Sequence, residues 1–258
     1  MSHEHHALVV RTDGKIADGI VELAVELSGH GLPDGFAPTI EVVASARQET
    51  FPGEAARHTA STALHVRELV EGSVTVEWHT VDAETPGEAL ETAATDEEPG
   101  IVVASDDLDP AVAERVFDAT GATVVLAPND WRLDGVETVV GAVGTGPYTG
   151  RVADTVGALA RASNASATLV HVGDDRAVLD AAAGRVEDVP VETELLSGDV
   201  HEVLPDVAAD SDALVIGGPS HSRLRQLAFG STSQRLREET DTLTLTVWTD
   251  DDPLGGDH

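Results

Sequence analysis

The stretch AERVFDATGATVVLA (Ala113 to Ala127) can be laid on SQRLREETDTLTLTV (Ser233 to Val247) without a gap, so one structural plan is written twice in the chain. Each copy ends a helical segment and begins a short apolar run. Within each half such runs alternate with longer segments of helical period, the order of a parallel sheet covered by helices. In such a sheet a strand buried on both faces reads as an apolar run, whereas LTLTVW alternates in the manner of a strand with one exposed face.

The second half spells the plan clearly. VVGAVG (Val139 to Gly144) reads as a strand, and GRVADTVGALARASNA places Val152, Val156, Leu159 and Ala160 on one helical face. ATLVHVG is the next strand, and a linking segment with AVLDAAAGRVEDV leads to a third, VETELLSG. DVHEVLPDVAADS then sets Val200, Val203, Leu204 and Val207 at helical spacing before a fourth strand, ALVIGG. The helix TSQRLREET and the strand LTLTVW (Leu243 to Trp248) complete five strands and four helical segments. The first half repeats the order from HALVVRTDG through GIVVAS and PAVAERVFDAT to ATVVLAP. PNDWRLDGVE (Pro128 to Glu137) carries the Pro, Asn, Asp and Gly of a linker, giving one domain over 1–128, a linker over 129–136, a second domain over 137–250 and an acidic tail over 251–258.

The formal net charge of −32 is spread along all 258 residues, with Lys15 the only lysine. Such a field repels phosphate backbones and anionic lipid, so nucleic acid and membrane are not expected partners. A lysine-poor, strongly acidic surface is the composition expected of adaptation to high salt, where self-repulsion is screened within about 3 Å at molar ionic strength. No cysteine is present, which excludes thiol chemistry and cysteine-ligated zinc. No leader-like N-terminus and no uncharged apolar run of about 18 residues is found, and a cytoplasmic protein is expected.

The segment VIGGPSHSRLRQLAFGSTSQRL (Val215 to Leu236) is the candidate site. A glycine-bearing turn at the carboxyl end of a parallel strand, followed by a helix start, is where open α/β sheets bind ligands. Gly217 and Gly218 free the backbone at the turn, Gly230 permits close approach, and Ser231 with Gln234 fits an S-x-x-Q capping box that fixes a helix start. Amides and the positive helix end would face a phosphate there, with Arg223 and Arg225 as local cations. A plain strand-loop-helix connection with a good cap is spelled in the same way, and the loop alone leaves both readings open.

The order of elements and this loop together resemble the universal stress protein family over nearly the whole chain. Its nucleotide-binding members carry Gly, two residues, Gly, nine residues, then Gly-Ser or Gly-Thr. Here Gly217, Gly218-Pro219, Ser220, His221 to Phe229, and Gly230-Ser231 follow that spacing, with Ser220 in place of the second glycine. VETELLSGDVHEVL and ATLVHV also look like the family's third strand and helix and its second strand. The resemblance implies two tandem open parallel five-stranded sheets with flanking helices, an adenine nucleotide alpha hydrolase-like α/β fold, paired through their fifth strands as an intrachain pseudo-dimer, with further homodimerisation left open. It implies a regulatory, non-catalytic stress protein with at most incidental ATP hydrolysis. An adenine nucleotide such as ATP, with magnesium, would be held in the second domain by Gly217, Gly218, Ser220, Arg223, Gly230, Ser231 and Thr232. Val143, Gly144 and Val172 would line the base and ribose. Gly144 stands where binding members place an aspartate. In the first domain Asp13 can stand for that aspartate, but VVASDDLDPAVAERV is too short for the nine-residue loop, and Asp106, Asp107 and Asp109 would repel phosphates. The rival function is a nucleotide-independent scaffold acting through dimerisation and protein partners.

Other chemistries are poorly served. A nucleophile elbow at Ser220 would need glycine where Ser222 stands, and the Walker pattern G-x-x-x-x-G-K-[ST] is absent. His3, His5 and His6 with Glu4 form a terminal group suited only to adventitious metal. His58, His65 and His79 lack metal-ligand spacing and read as structural, and Trp78, Trp131 and Trp248 read as core or interface anchors.

Overall fold

The computed structural model describes residues 6–10, 18–29, 37–45, 54–69, 74–128, 132–146, 148–186, 189–217 and 242–248. The chain divides into two compact units, Met1–Arg132 and Leu133–His258. In the first unit the order is β1 (His6–Val10), α1 (Asp18–Gly29), β2 (Thr39–Ser45), α2 (Glu54–Leu69), β3 (Thr75–Val81), α3 (Pro86–Glu97), β4 (Ile101–Ser105), α4 (Pro110–Thr120) and β5 (Thr123–Ala127). The second has β6 (Thr138–Ala142), α5 (Thr149–Ser163), β7 (Ser166–Val172), α6 (Arg176–Ala183), β8 (Val191–Leu196), α7 (Val200–Ala209), β9 (Ala213–Gly217) and β10 (Leu243–Trp248).

Within each unit every strand pairing is parallel, in the order β3-β2-β1-β4-β5 in the first and β8-β7-β6-β9-β10 in the second. The chain moves outward from the first strand of each unit, then crosses back to the other side. Right-handed crossovers therefore put α1 and α2 on one face of the first sheet, and α3 and α4 on the other. The second sheet follows the same rule, with α5 and α6 on one face and α7 opposite.

The central strands β1, β2, β4 and β9 are largely apolar because both faces are covered, β2 carrying one buried acid, Glu41, whereas the outer strands β3 and β8 alternate and expose Glu77, Glu192 and Glu194. Charges on those strands disfavour edge-to-edge pairing with other chains. Leu8, Leu23, Ile40 and Leu90 are fully buried in the first unit, and Leu159, Leu169, Leu179, Leu214 and Leu245 in the second. Each contributes about 1.5–3 kcal/mol through the area it removes from water.

The segment holding AVLDAAAGRVEDV, one of the four helical segments read in the second half, contains α6, started by Asp175, whose Oδ1 accepts from the Ala177 N–H at 3.0 Å. Two readings of the sequence need refining. The strand expected over Val139 to Gly144 leaves the ladder after Ala142, and only the Val143 N–H continues it, donating to the Val170 carbonyl at 2.9 Å. Trp78 is 56% exposed on β3 and is no core anchor, because it lies on an outer strand. Trp131 and the side chain of Trp248 lie outside the described residues. Among the described residues no helix is long and apolar enough to cross a membrane.

Candidate functional site

In an open parallel sheet, ligands bind outside the carboxyl ends of the strands where the strand order reverses. In the second unit that point lies between β6 and β9. The pairing of Ala142 with Ile216 brings the carboxyl end of β6 level with Gly217, and the pairing of Ala142 with Val170 sets Val143 and Gly144 level with the end of β7. Four sequence-predicted site residues, Val143, Gly144, Val172 and Gly217, therefore share one edge of the sheet. Gly218, Ser220, Arg223, Gly230, Ser231 and Thr232 lie outside the described residues, as does the helix TSQRLREET.

The four differ in what they offer. Val143 is buried and Val172 packs against a cluster of Val140, Val170, Leu204 and Ile216, so both shape the floor. Gly144 is exposed, and a Cβ built on it would meet nothing nearer than the Gly146 nitrogen at 4.0 Å. Gly217 is crowded: a Cβ there would lie 3.0 Å from the Cβ of Tyr148. Tyr148 is thus a wall of this edge that sequence reasoning missed, because its position depends on the turn that follows Gly144.

That turn is tied down locally. The Thr149 hydroxyl donates to the Gly144 carbonyl and lies 3.1 Å from the Gly146 carbonyl. The buried His171 donates from Nδ1 to the Val143 carbonyl at 2.9 Å, which fixes its tautomer. The start of α5 lies at the same edge; its N-cap Tyr148 makes no side-chain cap hydrogen bond, and the Thr149 N–H donates to the Gly146 carbonyl at 3.4 Å. The positive end of a helix dipole favours an anion.

The first unit treats the equivalent place differently. Four residues join β4 to α4, and Asp109 caps α4, its Oδ1 accepting from the Ala111 N–H at 2.9 Å. Ser105 Oγ accepts from the Asp107 N–H at 3.1 Å, and the Asp106 N–H donates to the Ala127 carbonyl at 2.8 Å. The helix start is thus already served by the protein's own carboxylate. Asp13 lies outside the described residues.

Of the histidines expected to be structural, His65 and His79 are paired with carboxylates: His65 Nε2 lies 2.8 Å from Asp18 Oδ1, and His79 meets Glu41, a buried residue of β2. The His58 side chain lies outside the described residues. His6, read from the sequence as part of a terminal group suited only to adventitious metal, also meets Glu41. None of these pairings was legible, since the partners are far apart in sequence.

The fold defines a parallel α/β protein of two units, each with a strand-order reversal in its sheet. No family model matches the chain, and no curated protein matches it in sequence. Solved structures match in fold. A universal stress protein from Archaeoglobus fulgidus DSM 4304 is 13% identical, with TM-score 0.60 over 96% of this chain and 97% of its own. A protein from Pseudomonas aeruginosa UCBPP-PA14 assigned to the universal stress proteins is 13% identical, with TM-score 0.64 over 98% of this chain and 97% of its own. The cytoplasmic domain of a prokaryotic cation chloride cotransporter is 11% identical, with TM-score 0.63 and 96% coverage of both chains. The chain has the α/β fold of these proteins.

Proposed function

We propose that the chain is a tandem universal stress protein with a regulatory, non-catalytic role, and that its second unit holds one adenine nucleotide. The observation that carries this reading is the carboxyl edge between β6 and β9, where exposed Gly144, crowded Gly217 and the start of α5 come together. The chain leaving Gly217 has the spacing of the family's phosphate loop. In this reading Gly217, Gly218, Ser220, Gly230, Ser231 and Thr232 hold the phosphates with Arg223 as the side-chain contact, and magnesium neutralises their charge. Val143, Gly144 and Val172 form the base and ribose side. The first unit, with Asp109 in its helix start, serves as a partner domain, and the fifth strands pair to form the pseudo-dimer.

Calorimetric titration of nucleotide-stripped protein with ATP and AMP, with magnesium in molar potassium chloride, tests the reading. Saturable binding near one site per chain is expected, and Gly230→Asp abolishes it by placing a carboxylate at the helix start while the fold survives. Binding that is absent, or unchanged in that variant, overturns the assignment. The rival scaffold reading draws on one observation, that the same fold serves as the cytoplasmic domain of a cotransporter. Absence of nucleotide binding would favour it.

A further inference from the structure

Glu41 is the anomaly of the first unit. It stands on β2, flanked by β1 and β3, and its side chain is only 5% exposed. An ionised carboxylate removed from water is costly unless a cation or several hydrogen bonds compensate it. Its register partners are Leu8 on β1 and Glu77 on β3, so the sheet adds a second acid beside it on the same face. α3 covers that face and ends there with Glu97.

Among the described residues the side-chain partners of this group are two histidines and no arginine or lysine. His6 Nε2 lies 3.2 Å from Glu41 Oε2. His79 Nδ1 lies 3.4 Å from Glu41 Oε1 and 3.8 Å from Glu97 Oε1. One ligand atom from each of Glu41, His79 and Glu97 falls within 4.8 Å of the others. Tetrahedral donors with bonds of about 2.0–2.2 Å sit roughly 3.4 Å from one another. The three donors are therefore near the spacing of a metal site and close on it by small side-chain rotations.

We infer that Glu41, His79 and Glu97 form a binding site for one divalent transition-metal ion of the zinc class. A nitrogen with two carboxylate oxygens is a donor set suited to that class, and the ion supplies a positive charge that no described arginine or lysine brings to this acidic cluster. His6 is a positioning residue: by holding Oε2 of Glu41 it turns Oε1 toward His79. The floor of the site is buried, while the His79 and Glu97 side chains are 37% and 39% exposed, leaving the fourth position open to water or an exogenous ligand. The ion ties the end of α3 to β2 and β3, so metal stabilises the first unit. None of these residues belongs to the nucleotide edge of the second unit, and the inference is independent of that reading.

The test uses the full chain, treated with chelator and exchanged into molar potassium chloride. It is titrated with cobalt(II), followed by visible absorption, and with zinc chloride, followed by calorimetry. The His3→Ala/His5→Ala double variant separates the site from the terminal histidines. One saturable site is expected in both the wild type and that variant, with a raised thermal midpoint. Affinity should fall at least about tenfold in His79→Gln and Glu97→Gln, whose exposed positions spare the fold. Binding that is absent, unchanged in both single variants, or lost in the double variant overturns the inference.

Discussion

Two glycines three residues apart show how much a single Cβ decides. At Gly141 on β6 an added Cβ would lie 2.6 Å from Val156 Cγ2 and 2.9 Å from Leu169 Cδ2, so α5 packs where only a hydrogen fits. Gly141→Ala should destabilise the second unit by about 1–3 kcal/mol, the usual range for overpacking a core, read as a lower midpoint in denaturant. At Gly144 the same construction meets open space. Gly144→Asp should leave that midpoint within about 0.5 kcal/mol, as surface changes do. By supplying the carboxylate that the family places near the base, it should also tighten ATP binding in calorimetry. Stability equal in the two variants would contradict the packing argument, and weaker nucleotide binding in Gly144→Asp would count against the base-side assignment.

At the scale of elements, the junctions carry information that the strands and helices do not. Asp212, in the turn between α7 and β9, joins its own unit across a long stretch of chain. Its Oδ2 accepts from the Thr138 hydroxyl at 2.8 Å, the Thr138 N–H at 2.9 Å and the Glu137 N–H at 3.0 Å, and its N–H donates to Thr138 Oγ1 at 2.9 Å. These bonds, the Thr138 hydroxyl foremost and then the Glu137 amide, hold the Asp212 carboxyl below its ordinary value. A depressed carboxyl contributes stability above its unfolded-state pKa and loses it as pH falls through the folded value. Asp212→Ala should cost about 1–3 kcal/mol at pH 7, and the gap from wild type should narrow below about pH 4. Denaturant titrations at pH 7 and pH 3 check both, and a gap that widens in acid would refute the assignment.

The alternation of elements was legible because buried strands such as IVVAS and ALVIG are apolar on both faces, while α5 repeats its apolar residues at helical spacing. β6 was read too long because Val143 remains apolar and buried after the chain has left the ladder. Gly144 and Gly217 could be placed at strand ends from their positions alone. Tyr148 could not, nor could the meeting of Glu41, His79 and Glu97, which are carried by three separate elements and converge through register and a crossover.

Across the whole molecule, charge sets the response to solution conditions. A net −32 with 15 basic residues leaves most carboxylates without a cationic partner, and exposed ion pairs such as Arg115 with Glu91 cannot offset the repulsion. The repulsion acts over about 10 Å at 0.1 M salt and about 3 Å at 1 M. Neighbouring surface carboxylates thus feel one another in dilute buffer and are largely independent at molar salt. Unfolding lets these charges spread, so low salt favours the unfolded chain. The thermal midpoint should therefore climb from 0.1 to 2 M potassium chloride, with most of the rise below about 1 M, where the screening length shrinks fastest. For a chain of this size each kcal/mol of relief reads as about 2–4 °C. A midpoint that stays flat would mean that the carboxylates are already neutralised by bound cations. The same screening lets an anionic nucleotide approach this surface, so a binding constant for ATP should strengthen with salt over that interval. At a basic phosphate site counterion release gives the opposite slope.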